Sequence, residues 1–306
     1  MFDSTAKVEI FGCDGSYFCL AGEGQGTEGV YLSTNPRGFY DAPVSTIWKS
    51  SAFQIGGSYR GKRINQREVV FGVEILGDSS EEWEENDSRW RKAWDYEIDP
   101  WDPDGSQTRM RITTERSGPR DLLLQLSENP DFASDKDPRL TGHGTVPMTA
   151  IAGQPMWFQE DELSGWKLTS GTSGAGTVTI SNPTDQPMLI KWIVTAPGTW
   201  TLPDFSWVGR KYERVPGGKY PTRTVQLPAL SASEGGATVD LDPLKLMVRE
   251  VNNTNRLGRM GGRFFLHKIP PYTPETLLPV SVTGAAPGAG VVLRQPRHWS
   301  RPWGLE

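Results

Sequence analysis

Asp240 and Asp242 sit two residues apart, a spacing that would put both carboxylates on one face of a strand. Paired carboxylates are the equipment of glycoside hydrolysis, but side chains two apart on one strand lie nearer than that chemistry usually requires. Asp240-Leu241-Asp242-Pro243 reads instead as the start of a turn, and that reading is preferred over a catalytic pair. Glu160, Asp161 and Glu162 form a second acidic run. The three histidines, His143, His267 and His298, each stand alone, and no Cys or His pair has metal-ligand spacing. No G-x-S-x-G elbow occurs, so Ser-based hydrolysis lacks its usual signal. Gly24, Gly26 and Gly29 fit G-x-G-x-x-G, yet they precede a strand and not a helix, which removes the βαβ context that aims amides at a pyrophosphate. Gly171 to Gly176 has no lysine at the position a phosphate loop needs. These patterns assign no catalytic residue, cofactor or metal.

Cations gather in two places. Arg60, Lys62, Arg63 and Arg67 form one patch, and Arg210 and Lys211 belong to a basic, Gly- and Pro-bearing excursion over 209–224. The chain carries a formal charge of -5 over 306 residues, which opposes nonspecific capture of nucleic acid through phosphates. Both basic segments therefore read as solvated loops or as contacts to other subunits. A long loop without periodicity is expected to order against a partner.

The elements that must position these residues are mostly strands. Thr177, Thr179 and Ser181 alternate with Val178 and Ile180, Asn182 to Pro187 supplies turn chemistry, and Met188, Ile190, Trp192 and Val194 alternate again. With Trp200, Leu202, Phe205 and Trp207, this predicts a three-stranded antiparallel meander inside a β-sandwich. Nearer the start, Asp14-Gly15 predicts a hairpin within residues 5–32, followed by a mobile glycine-rich loop over 22–29. Cys13 and Cys19 flank that turn and read as reduced thiols, in keeping with folding in a reducing cytoplasm.

One helix is expected over 80–96. Ser79 and Glu82 fit a capping interaction, and Glu81, Glu82, Glu84 and Glu85 precede Arg89, Arg91 and Lys92 in the order that the helix dipole favours. Glu85 with Arg89, and Asp87 with Arg91, have ion-pair spacing. Trp83, Trp90 and Trp94 mark the face laid on a sheet. Residues 129–138 are polar and proline-flanked. A boundary at Gly153-Gln154-Pro155 would divide the chain into domains 1–153 and 154–306, both mainly β. The aromatic closing segment, with Trp299 and Trp303, is expected to dock. Twelve tryptophans suit either core and interface packing or, if exposed, sugar stacking. No run is long and apolar enough to span a membrane, and MFDSTAKVEIF shows no signal-peptide pattern.

The stretches VYLSTNPRGFYDAPV and SAFQIGGSYRGKRINQREVVFGVEIL, followed by the Trp-bearing helix, resemble the N-terminal ring domain of siphophage distal tail proteins. SNPTDQP, KWIVTAPGTWTLPDFSW, GGRFFLHKIPPYTPETLLPVSV and the final WSRPWGLE resemble minor tail proteins of actinobacterial phages. The resemblance spans nearly the whole chain. It implies an N-terminal tail-tube-like β-sandwich or barrel with one helix, then a galectin-like or jelly-roll β-sandwich. It further implies a structural, non-enzymatic virion protein at the tail tip, made in the host cytoplasm and forming a hexameric ring. The implied partners are other copies of the chain, the tail tube protein, the baseplate hub with its fibres and the tape measure protein. A host cell-wall glycan is the alternative partner of the second domain. On this reading Arg60, Lys62, Arg63, Arg67, Arg210, Lys211, Trp299 and Trp303 are the expected subunit or partner contacts, and the 22–29 loop is a further one.

Overall fold

The computed structural model describes residues 6–33, 36–132 and 136–306. The first residues of the chain, and the centre of the polar 129–138 stretch, lie outside them. The chain forms two compact units: residues 1–158 with 299–305, and residues 159–298 with 306. The second is thus inserted before the last segment of the first, whereas a single cut after residue 153 would give that segment to the second half.

In the first unit, β1 (Lys7–Phe11) and β2 (Tyr17–Ala21) form the expected hairpin, with Ile10 opposite Phe18. The glycine-rich segment after it is a chain of tight turns, closed by Gly26 N–H donating to Cys19 O and Gly29 N–H to Gly26 O. It is a hydrogen-bonded structure where a mobile loop was expected. Gly22, Gly24, Gly26 and Gly29 all have positive φ, which side chains with a Cβ resist. Next come β3 (Val30–Leu32), β4 (Val44–Lys49), β5 (Ser58–Ile64) and β6 (Arg67–Leu76). Helix α1 (Ser80–Lys92) leads to β7 (Thr108–Thr114) and β8 (Gly118–Leu126). A short α2 (Pro138–Thr141), not anticipated from sequence, precedes β9 (His143–Ala152). The antiparallel order is β2-β1-β7-β8-β9-β6-β3, with β4 and β5 paired only to each other, and the described strands close no barrel.

Helix α1 starts as expected, Glu82 N–H donating to Ser79 Oγ at 3.1 Å, but it ends at Lys92, four residues early. Trp94 lies beyond the cap yet continues the apolar stripe, its ring 5.5 Å from that of Trp90. Asp87 pairs with Arg91 as the spacing predicts, whereas Arg89 lies over the Phe18 ring. Trp83, Trp90 and Trp94 join Phe18, Phe71, Val73 and Ile75 in one core, the Trp83 indole donating to Ile75 O.

The second unit is a sandwich of two antiparallel sheets. β10 (Trp157–Lys167) enters it at residue 159 and lies beside β20 (Gly290–Trp299), then β12 (Lys191–Val194), β17 (Ala237–Asp240) and β18 (Val248–Glu250). The other sheet runs β11 (Ser173–Asn182), β19 (Thr273–Thr283), β13 (Thr199–Pro203), β16 (Thr224–Gln226). This corrects the expected meander. Each expected run contains a strand, but β12 begins only after Met188 and Ile190, and β13 stops before Phe205 and Trp207. β11, β12 and β13 alternate between sheets, and β11 takes β19 as its partner, with Val178 opposite Leu278. Alternation specifies which face is buried and leaves the partner open. Trp192 and Trp200 fill the core between the sheets with Ile180, Leu202 and Leu293.

Candidate assembly surface

The residues that first suggested chemistry do not converge. Asp240 accepts the Asp242 N–H and pairs with Lys191, while Asp242 accepts the Leu244 N–H, the bonding of a turn. Asp161 pairs with Arg294 across β10 and β20 at 2.8 Å. His143 contacts Glu74 at 2.8 Å. His267 belongs to a closed cluster around the buried Asp204, which accepts the Leu266 and His267 N–H groups and pairs with Arg223. Among the described residues no group of three His, Cys, Asp or Glu could hold a metal ion. The Cys13 thiol meets Lys92 O, and Cys19 lies beside Glu23 O.

Two of the expected contact residues are interior. Arg67, 1% exposed, opens β6 on the core face. Its guanidinium donates to five main-chain carbonyls, those of Pro155, Gly38, Phe39, Asp41 and Ser300. Burial lowers its pKa to about 10, and Asp41 opposes the shift. Trp299, 3% exposed, lies against the Arg120 guanidinium, which also donates to Arg301 O and Gly304 O. The closing segment is thus docked in the first unit through its carbonyls. Neither residue is on a surface that a partner can reach. Trp303 is half-buried, packs edge-on to Tyr40 and borders a cavity of about 610 Å³ with Thr114, Glu115 and Arg116.

Arg60, Lys62 and Arg63 do sit on a surface, and it is a strand where a loop was allowed. β4 and β5 form a self-paired hairpin with a register shift at Ile47/Trp48 and a cross-strand Trp48–Tyr59 ring pair at 5.5 Å. The hairpin buries little. Trp48 is 60% exposed, and Phe53 and Ile55 at the tip are as open as in an extended chain. Phe53 holds φ 65, in the left-handed region that β-branched and bulky residues seldom occupy. Lys49, Arg60, Lys62 and Arg63 make no ion pair among the described residues. Charge alone flagged this patch. Phe53 and Ile55, placed between Ser- and Gly-rich flanks, were missed.

The 209–224 excursion is more ordered than expected. β14 (Trp207–Val208) pairs with β15 (Val215–Pro216), and the Ser206 hydroxyl accepts Tyr220 N–H while Gly217 O receives its proton. Arg210 and Lys211 lie at its exposed turn, with Lys211 Nζ 3.9 Å from the Tyr272 ring centre. Tyr212 and Tyr272, both with positive φ, pack at 4.7 Å beside a cavity of about 330 Å³ that Asn182 and Glu275 also line.

No protein-family model matches the sequence. The chain is 32% identical to the minor tail proteins Gp27 of Mycobacterium phages D29 and L5, over 98% of this chain and 98% of each relative. Its fold is similar to that of SPP1 Dit, described as a hub of the adsorption apparatus in phages infecting Gram-positive bacteria. That match has a TM-score of 0.57 at 10% identity, over 95% of this chain and 98% of that one. It is also similar to a chain of the phage P2 baseplate, with a TM-score of 0.50 at 10% identity, over 96% of this chain and 98% of that chain. With 98% of its length matched by Gp27 at 32% identity, the chain belongs to the minor tail proteins of mycobacteriophages, components of the phage tail.

Proposed function

We propose that this minor tail protein is a structural ring of the tail tip, six-fold, that joins the tail tube to the baseplate hub and its fibres. The first unit would supply the ring contacts, and the second would meet the hub. One observation carries the reading: the β4–β5 hairpin leaves Trp48, Phe53, Ile55 and Tyr59 open to water on an element whose strands pair only with each other among the described residues. Burying such a side chain is worth about 1.5–3 kcal/mol, and apolar groups held out on a self-paired hairpin are suited to a protein partner. A ring follows from identical heterologous contacts that close. A non-enzymatic role agrees with carboxylates committed to turns and ion pairs. The tape measure protein is a further expected neighbour, and synthesis in the host cytoplasm precedes assembly. Arg210 and Lys211 are proposed as partner contacts of the second unit. The test is light scattering and negative-stain imaging of the full chain, alone and with tube and hub proteins. Six-fold rings are expected, and a monomer in every mixture overturns the proposal.

A second reading is favoured by the Tyr212–Tyr272 cavity, where the exposed Tyr212 ring lies beside the exposed Glu275, a face that can stack on a sugar and a carboxylate that can accept its hydroxyls. Retention of the full chain on host cell wall, lost in Tyr212→Ala, would support it. No retention removes it.

A further inference from the structure

The hairpin has a counterpart on the same unit. Residues 44–64 contain Lys49, Arg60, Lys62 and Arg63 and no acid, while residues 95–104 contain Asp95, Glu97, Asp99, Asp102 and Asp104 and no base. All nine of these side chains are on exposed residues. The acidic loop is shaped by its own backbone, Asp99 accepting Trp101 N–H at 2.8 Å and Asp102 accepting Asp104 N–H at 2.9 Å. No cation pairs with any of its carboxylates among the described residues. It also holds an apolar group out to solvent, Trp101 at 91% exposure, with Tyr96 and Ile98 beside it. Each element therefore offers what the other lacks: opposite charge around exposed aromatic surface.

We propose that the cationic, aromatic hairpin of one copy seats on the acidic Trp101 loop of the next copy. The inference rests on the ring reading and names the surfaces that would make the ring. Two different patches on one chain give a head-to-tail contact, the kind that closes into a ring when the rotation per subunit divides a full turn. Charges around an aromatic centre fix register and speed encounter, while the centre supplies the attraction. A chain of net charge -5 would otherwise repel its own copies. The segregated cations supply the local exception.

The test reverses charge on each side in the full chain. K62E/R63E and D99K/D102K should each shift the concentration for half-assembly upward by about tenfold or more while leaving the thermal midpoint in place. An equimolar mixture of the two variants should reassemble, because every contact in an alternating ring again joins opposite charges. E84K/E85K, on the exposed face of α1, should assemble as the unaltered chain does. Carbodiimide treatment of mixed light- and heavy-isotope copies should join Lys49 or Lys62 of one to Asp99 or Asp102 of another. Rings that persist in both reversed variants, or a mixture that fails to reassemble, overturn the inference and leave the ring reading standing. An unaltered chain that never forms rings removes both.

Discussion

The guanidinium carbon of Arg120 sits 3.9 Å from the centre of the Trp299 ring, joining residues 179 positions apart. Arg120 is fully buried on β8, and its NH1 also donates to Arg301 O at 2.9 Å and Gly304 O at 3.0 Å. A cation desolvated over an indole gains more than an exposed one. Trp299→Ala removes both the ring contact and a core side chain, and should cost the first unit about 3–5 kcal/mol in urea denaturation. Arg120→Lys keeps the charge but cannot reproduce the planar fork, and should lose about 1–3 kcal/mol. If both variants unfold like the parent, the closing segment does not stabilise the first unit.

Arg67 is a structural residue. Replacing it with Met keeps much of the volume and strands acceptors at Gly38, Phe39, Asp41, Pro155 and Ser300. A buried acceptor left without a partner costs about 1–3 kcal/mol, so Arg67→Met should lower stability by about 3 kcal/mol or more. Lys62→Met, on the exposed hairpin, should stay within about 0.5 kcal/mol of the parent. The contrast between two nearby cations, read by thermal denaturation, separates an interior role from a surface one.

Arg60, Lys62, Arg63 and Arg67 look alike in sequence, and what divides them lies far away in it. Arg67 is buried because Pro155 and Ser300 bring carbonyls to it, and no local pattern announces a carbonyl 233 residues on. The same limit explains the sandwich. Val178, Ile180, Trp192 and Trp200 disclose their buried faces by alternation, yet the choice of β19 as the partner of β11 is made by the assembled core. The start of α1 was legible because a cap is a local bond, Ser79 to Glu82. Its end was not, because Trp94 continues the apolar stripe after the helix has stopped. Phe53 and Ile55 carry no local mark of their exposure, because an apolar residue in a sequence ordinarily signals core.

His298 gives the second unit a pH dependence of definite sign. Burial holds its pKa below the ordinary 6.5, with Lys191 acting in the same direction and Asp161 against it. His267 is lowered in the same way, by burial and then by Arg223. Since the folded values lie below the unfolded ones, the unfolded chain binds more protons as pH falls from about 6.5. Stability is therefore full above that pH and is lost as pH falls through the folded values. The denaturation midpoint should drop between about pH 7 and about pH 5, and His298→Gln with His267→Gln should flatten most of that slope. A slope unchanged in the double variant would assign it to carboxylates instead.

Phe53 and Ile55 separate folding from assembly. Both side chains are fully exposed at the tip of a hairpin that pairs only with itself, so neither stabilises the single subunit through packing. Phe53→Ser with Ile55→Ser should leave the thermal midpoint of dilute protein within about 1 °C to 2 °C of the parent, because exposed substitutions stay within about 0.5 kcal/mol. In association the same pair should matter. Truncating two central apolar anchors typically costs about 2 kcal/mol or more, close to a thirtyfold weaker contact. Sedimentation across a concentration series reads the association term, and calorimetry of dilute subunit reads the folding term. A variant that folds normally and assembles weakly places these residues in a contact between proteins. One that loses stability in the dilute subunit shows that the tip packs on its own chain.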